Sequence, residues 1–419
     1  MSVDAGTLIV GASQAGLQLA VSLRDVGETG PITLIGEEPH APYQRPPLSK
    51  AYLQGSAELE QLWLRAPEVL TGSDISLVTG ERIETLELTD GGPSGSARTK
   101  SGQVLTFNRL ALTVGARPRR LEAPGADLDG VTYLRTADDA TLLRGLQSDA
   151  ESVVVIGGGF IGLEAAAVAR AQGKSVTVVE AADRLIGRAV APVVSEFYRA
   201  AHSRRGVEVR LDTRVTCLAG EHNRVQAVEL SDGTWIPADL VIVGIGVVPR
   251  TKLARQLNLE CEGGIVVDRH ARTSNPTVVA AGDCTVQPHP LTGRGQVRLE
   301  SVQNAISQAK TAAATLAGQS EPNDSVPWFW SDQYNLKLQI AGLSGGHDQH
   351  VVRGDIEGEA FSVLYYREGA LLAVDAVNQA GDYMAVRKAL TQGATIPAEA
   401  AADSSVALRE LIVPQAVGA

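Results

Sequence analysis

Sulfur is scarce in this chain. Its 419 residues include three cysteines, Cys217, Cys261 and Cys284, an odd number, far apart and without a CxxC pair. That pattern speaks against both a disulfide framework and a zinc cluster. Long apolar runs are also missing: none approaches about 18 residues, so no membrane-spanning helix is expected. Positive charge is in deficit, with 37 Lys and Arg against 48 Asp and Glu and a net charge of −11. Nucleic acid is therefore not an expected partner, although a local basic patch is compatible with that balance. Strand-like sequence begins by Thr7, which leaves no room for a signal peptide. The expectation is a cytoplasmic protein with reduced thiols, and the length suits two or three domains.

Two stretches instead carry the grammar of a βαβ nucleotide-binding unit. In the first, "TLIVGASQAGLQLAVSLRDVGETGPITLIGEE", an apolar strand ends at Val10 and a Gly-rich turn leads into an amphipathic helix to about Val26. The turn runs Gly11-Ala12-Ser13-Gln14-Ala15-Gly16. Ser13 replaces the glycine that normally lets the backbone approach a pyrophosphate, a departure made tolerable by its small side chain. Glu37 closes the following strand, where a carboxylate accepts hydrogen bonds from ribose hydroxyls.

The second copy, "SVVVIGGGFIGLEAAAVARAQGKSVTVVEAADRLIGR", is fuller. Gly157, Gly159 and Gly162 follow the strand at 153–156, small residues at 165–169 allow close helix–sheet packing, and Glu180 closes the next strand. A carboxylate there binds a 2′-hydroxyl and repels a 2′-phosphate, which points to NADH over NADPH. Arg184 and Arg188 follow and leave open whether one of them attends the cofactor or both are solvated loop charges. Phe160 and Ile161, at the helix start, suit either the cofactor backbone or packing.

Matched exits support two related units. "TVGARP", with Thr113 and Gly115, and "GIGVVP", with Gly246, each follow an apolar strand. Each has a glycine that allows close passage and a proline that stiffens the departure. A third station, "TVVAAGDCT", places Gly282 and Asp283 after a strand at 278–281, where a carboxylate can hold a polyol. In "ESVQNAISQAKTAAATLAG", Ser301 reads as an N-cap. The free N–H groups and positive dipole end at Val302 and Gln303 suit an anionic group.

In this order, with "RPPLSKAYL" after the first unit and "PWFWSDQ" near residue 330, the chain resembles the two-dinucleotide-domain flavoprotein reductases. Within them it resembles the NADH-dependent ferredoxin reductases, of putidaredoxin reductase type, that serve bacterial haem-thiolate monooxygenases and aromatic-ring dioxygenases. The resemblance implies an α/β fold with two Rossmann-like domains, glutathione-reductase-like, and a C-terminal α+β interface domain. Residues 1–115 and 247–324 are expected to form a discontinuous FAD-binding domain, 116–246 the NADH-binding domain, and 325–419 the C-terminal domain.

It also implies roles. Lys50 is expected beside the flavin edge near N5, with Arg45 facing a phosphate or a carboxylate. Ile83 and Arg135 occupy positions whose counterparts touch FAD, and the helix from Val302 faces the flavin N1–C2 carbonyl. The resemblance implies that Glu164 contacts the nicotinamide carboxamide; separately, a solvent-facing side chain fits poorly among Leu163 and Ala165 to Ala167. Disulfide reductases of this superfamily need a cysteine pair beside the flavin, and the NADH peroxidases and oxidases need one cysteine near the first unit's second strand. That loop has none here, so electrons are expected to leave directly for a one-electron acceptor. The expected enzyme is an FAD-dependent NADH:ferredoxin reductase, a monomer, passing electrons to a two-iron two-sulfur ferredoxin that feeds an oxygenase. A rubredoxin or monodehydroascorbate reductase, or a signalling flavoprotein like apoptosis-inducing factor, is the alternative. Arg65, Arg298, Lys310 and Lys337 are candidates for a basic docking patch.

Overall fold

The computed structural model describes residues 2–90, 92–292 and 295–415. They form two compact units, each assembled from three stretches of chain. The first comprises Met1–Gln44, Leu59–Arg117 and Val248–Pro327; the second comprises Arg45–Glu58, Pro118–Val247 and Trp328–Ala419.

In the first unit, a five-stranded sheet runs in the order Val278–Ala280, Arg109–Leu112, Thr7–Val10, Ile32–Ile35, Ile75–Val78. Every neighbouring pair is parallel. These strands are apolar on both faces because both faces are covered. Leu8, Val10, Leu110, Leu112, Val278 and Ala280 enter one core cluster. The alternate residues Ile9, Ala111 and Val279 enter another, with helices Gln14–Asp25 and Val302–Leu316. Ala305, Ala309, Ala312 and Ala313 let the second helix lie close. A four-stranded sheet, Ser2–Asp4, Val104–Phe107, Gly95–Thr99 and Ile83–Leu88, completes the first cluster's surroundings.

The second unit repeats the plan. Val131–Tyr133, Leu240–Val243, Ser152–Ile156, Ser175–Val179 and Val207–Arg210 form a parallel sheet in that order. Helix Phe160–Ala171 packs on it, and its small residues Ala165, Ala166, Ala167 and Ala169 are all buried, because the helix is covered on more than one side. Helix Ala137–Asp149 starts at a capping box, with the Thr136 hydroxyl and the Asp139 carboxylate each serving the other's backbone N–H.

The same unit holds an antiparallel sheet of Trp328–Gln333, Leu336–Gly342, Ala370–Val377, Ala360–Arg367 and Gln349–Asp355. Helix Ala380–Thr391 packs on it through Tyr383, Val386 and Ala389. Trp328 and Trp330 share one face of their strand, with rings 5.7 Å apart, while Phe329 lies on the other against Phe160. Trp328 also stacks under Arg387 and belongs to the local core. Two structural details meet at helix Phe160–Ala171: strand Trp328–Gln333 and the short 3-10 turn Pro46–Ser49 both lie against it. Proline at the first two positions of that turn supplies the fixed φ a tight helical start needs. No helix among the described residues is long and apolar enough to cross a membrane.

Candidate functional site

In the first unit, the strand ends Val10, Ile35, Leu112 and Ala280 lie at one edge of the parallel sheet, the edge where open α/β sheets bind ligands. Gly11 has φ +117°, and a Cβ there would fall 2.2 Å from the Thr113 carbonyl oxygen. The Thr113 hydroxyl in turn donates to the Gly11 and Val10 carbonyls, at 2.8 and 3.1 Å, and locks the turn. Ala15 and Gly16 are buried in the first helical turn, and Gly282 sits against Ala15 and Ala305. The turn of Gly11–Gly16, Thr113, Gly282 and the start of helix Val302–Leu316 are thereby gathered, with Asp283 half-buried beside them and Gly115 at φ +62° on the exit.

Ser13 caps helix Gln14–Asp25 by position but makes no side-chain capping bond, and the first turn carries no acidic residue. Its N–H groups and positive dipole end are left for an anion. Ser301 differs, since its hydroxyl accepts from the Asn304 N–H at 3.1 Å. Behind the third station, Gln308 accepts from the Gly282 N–H at 2.8 Å and joins Gln287, Asn304 and Thr285 in a buried hydrogen-bonded network. Glu37 stands half-exposed between Arg250, at 2.7 Å, and Arg82, at 3.4 Å. Neither arginine is singled out by the sequence motifs. Ile83 is the exception to the gathering: its side chain is buried in the core with Leu8 and Val10. Any contact it makes with a ligand falls to its backbone, which runs beside Glu37 because the Glu81 N–H bonds the Gly36 carbonyl.

The second unit repeats the turn. Gly157 has φ +105° and abuts the Gly244 carbonyl, while a Cβ on Gly162 would fall 2.2 Å from the Gly157 oxygen. Gly159 is different. Its φ is −80° and a Cβ there would meet nothing within 4 Å, so the protein's own packing does not demand glycine. The open space lies at the uncapped N-terminus of helix Phe160–Ala171, which has no acidic residue in its first turn. A cradle that is empty of protein and faces the N–H groups of a helix start without an acidic residue fits a pyrophosphate.

Glu180 accepts from the Gly158 N–H at 2.6 Å and the Ala182 N–H at 2.8 Å, which fixes its carboxylate beside the turn. The two arginines that follow separate. Arg184 is turned into its own loop, donating to the Val190 and Gly187 carbonyls at 2.7 and 2.5 Å. Arg188 is exposed, with its guanidinium over Gly246, itself at φ +93°. Phe160 is committed to ring contact with Phe329 at 4.6 Å, whereas Ile161 is 40% exposed.

Lys50 and Glu164 form an ion pair at 2.6 Å within this unit. Glu164 is buried at 4% exposure, so the solvent-facing alternative is gone. The same carboxylate accepts from the Ser49 hydroxyl at 2.5 Å and, on its other oxygen, from the Ser331 hydroxyl at 2.7 Å. Lys50 also donates to the Pro46 carbonyl at 3.1 Å, so the proline-rich turn holds its own lysine. Ser49 stands inside the quoted "RPPLSK" motif; nothing in the sequence near Ser331 marks it. Arg45 donates to the Arg135 carbonyl at 2.6 Å, which brings those two expected residues together.

The three cysteines form no disulfide with one another. All three are free, and Cys284 is wholly buried, its thiol pushed up to about 12 by desolvation. It is a packed apolar group with Leu110, Leu112 and Ile265. No cluster of three or more His, Cys, Asp or Glu suited to a metal ion occurs among the described residues.

Residues 6–309 match the family model described as pyridine nucleotide-disulphide oxidoreductase, and residues 328–412 match that described as reductase C-terminal. Over 402 residues the chain is 45% identical to rhodocoxin reductase of Rhodococcus erythropolis, covering 96% of this chain and 93% of that protein. Among solved structures, the ferredoxin reductase for the CYP199A2 system from Rhodopseudomonas palustris superposes with a TM-score of 0.93 at 42% identity, covering 98% of this chain and 100% of that one. The reductase in the covalent putidaredoxin reductase–putidaredoxin complex gives 0.92 at 38%, covering 98% of each. Two dinucleotide turns, a buried lysine–glutamate pair and these similarities converge: the chain belongs to the pyridine nucleotide-disulphide oxidoreductase family and carries that family's reductase C-terminal module.

Proposed function

We propose that this protein is an FAD-dependent NADH:ferredoxin reductase that passes electrons singly to a two-iron two-sulfur ferredoxin serving an oxygenase. The observation that carries the reading is the combination of two dinucleotide turns with no usable thiol. A relay through sulfur needs a reactive thiolate, and Cys284, the cysteine nearest the third station in sequence, is a buried thiol. Bound FAD supplies the missing chemistry, accepting a hydride and releasing electrons one at a time.

The chain's own residues then bind, orient and balance charge. The turn Gly11–Gly16, Ser13 and Ala15 included, holds the FAD pyrophosphate, with Glu37 on its ribose. Thr113, Gly115, Gly282, Asp283, Val302, Ile83, Arg45 and Arg135 complete that site. Gly157, Gly159, Phe160, Ile161, Gly162, Glu180, Arg188 and Gly246 hold NADH. Lys50 contributes positive charge at the flavin edge and Glu164 orients the nicotinamide, so that hydride transfer depends on proximity and needs no strong acid or nucleophile. In this reading 1–115 with 247–324 is the FAD domain, 116–246 the NADH domain and 325–419 the interface domain. The free cysteines suit the cytoplasm.

The test is steady-state NADH oxidation by the FAD-loaded protein, with ferricyanide and with a purified two-iron two-sulfur ferredoxin as acceptors. Both reactions are expected, and a variant with Cys217, Cys261 and Cys284 replaced by serine or alanine is expected to retain them. Loss of turnover in that variant while FAD stays bound returns the mechanism to sulfur. Reduction of ferricyanide but of no iron–sulfur partner removes the ferredoxin assignment.

A further inference from the structure

Beyond the Lys50–Glu164 pair, the second unit contains a chain of buried polar groups that the electron-transfer reading does not use. Ser331 Oγ lies 2.7 Å from Glu164 Oε1. Gln333 Nε2 lies 3.2 Å from Ser331 Oγ, and Gln333 Oε1 lies 2.8 Å from His202 Nε2. Tyr334 Oη follows, 3.4 Å from His202 Nδ1. Ser331 and His202 are 0% exposed and Gln333 1%. The Glu164 carboxylate is thus touched by the "RPPLSK" turn through Ser49 and Lys50 and by the strand through Ser331, behind which Gln333 and His202 follow in series.

The polarity of this chain is forced from one end to the other. A carboxylate only accepts, so Ser331 donates to Glu164 and its oxygen receives the Gln333 amide N–H. The Gln333 carbonyl then receives the imidazole Nε2–H, and Nδ1 accepts from the Tyr334 hydroxyl. Burial pushes the His202 imidazolium down, which agrees with a neutral ring having one acceptor nitrogen. Every polar hydrogen therefore points toward Glu164.

The arrangement does not read as a proton path. An amide passes a proton only by becoming its imidic acid, so Gln333 interrupts any relay between His202 and Ser331. An orienting role remains. Burying this many polar side chains where apolar ones would pack is costly unless each is satisfied, and here each is satisfied in a single direction.

We propose that His202, Gln333 and Ser331 are positioning residues that fix the Glu164 carboxylate on Lys50, and that through this pair they set how readily the bound flavin is reduced. The inference rests on the reading above that Lys50 attends the flavin.

A double-mutant cycle on the holoprotein separates the two. Ser331→Ala and Gln333→Met are made alone and together with Lys50→Met, with FAD content checked in each. Stopped-flow reduction by NADH and the flavin midpoint potential are measured; unfolding is also followed, but it responds to a purely structural role as well and does not decide. Ser331→Ala, which removes a hydrogen bond to the carboxylate, is expected to slow reduction about tenfold, and Gln333→Met, whose bond is to the neutral Ser331 hydroxyl, to slow it by less. The potential should shift in the same direction as in Lys50→Met, and neither change should add anything once Lys50 is gone. An effect that persists undiminished in the Lys50→Met background overturns the proposal, as do wild-type rate and potential in the single variants. A silent Ser331→Ala beside an impaired Lys50→Met sinks this inference alone. A silent Lys50→Met sinks the reading beneath it and the inference with it. Should Gln333→Met fail to fold, Ser331→Ala, which removes one oxygen, carries the test.

Discussion

Glu180 shows how its surroundings hold one carboxylate in place. Both of its oxygens are occupied by backbone N–H groups, so its negative charge is held in place beside the open cradle at Gly159. A 2′-phosphate would face that fixed charge and could not turn it away. Arg184 offers no rescue, because its guanidinium is spent on the Val190 and Gly187 carbonyls of its own loop. Preference for NADH over NADPH by roughly a hundredfold or more in kcat/KM is expected from repulsion and a lost hydrogen bond. Glu180→Ala should narrow the ratio mainly by raising NADH KM. Equal use of the two coenzymes by the unmodified protein would show that exposed Arg188 dominates instead.

At the scale of the element, the two glycines flanking the start of helix Phe160–Ala171 are predicted to behave oppositely. Gly162 lies under the Gly157 carbonyl, and a methyl group there overlaps backbone that cannot withdraw. Gly162→Ala should therefore cost about 2–4 kcal/mol or prevent folding, by forced displacement of helix from strand. At Gly159 the backbone is already extended, with φ −80° and ψ 177°, and nothing stands in the way. Gly159→Ala should change stability by no more than about 1 kcal/mol, because a less flexible unfolded chain offsets the exchange of a favoured N-cap residue for alanine. Yet it should weaken NADH binding about tenfold or more, because the methyl occupies the pyrophosphate cradle. Chemical denaturation and NADH titration of the two variants distinguish a packing glycine from a ligand glycine. Unimpaired NADH binding by Gly159→Ala would mean the open space is not the cradle.

For the whole molecule, stability against pH is shaped by ionisable groups pulled in opposite directions. Two carboxyls of the second unit show this. Glu359 is lowered to about 2, chiefly by its hydrogen bond with Arg205, and its contribution is lost as pH falls from 4.5 toward 2. Asp375 is wholly buried and pushed up to about 7 by desolvation, against the partial relief of the Tyr365 hydroxyl at 2.5 Å. Between 3.8 and about 7 the folded state binds the extra proton, so Asp375's contribution is fully present below 3.8 and is lost as pH rises through that window. Asp375→Asn keeps the shape without the charge. It should gain stability relative to the unmodified protein as pH rises from 4 to 7, by an amount read from denaturation midpoints at each pH. A constant difference across that range would mean that Asp375 is not titrating there.

What the sequence determined by itself is what neighbouring residues decide. Positive φ at Gly11 and Gly157, the small Ser13 in place of a glycine, the alternation of Leu8, Ile9 and Val10 between two cores, and the run of small buried residues in helix Phe160–Ala171 are consequences of residues within a few positions of one another. Backbone sterics and periodicity act over that span, so both glycine turns and the positions of Glu37 and Glu180 at the strand ends after them are legible in the sequence. Partners that come from far along the chain are not. Glu164 meets Ser49, 115 residues away, and Ser331, 167 residues away. Glu37 lies between Arg82 and Arg250, and the Ile83 side chain packs in the core with Leu8 and Val10. Arg184 and Arg188 look alike in sequence, and only the folded loop turns one inward and leaves the other over Gly246. Pairings of this kind depend on how packed elements bring distant side chains within hydrogen-bond reach, and no local pattern records which distant group will arrive.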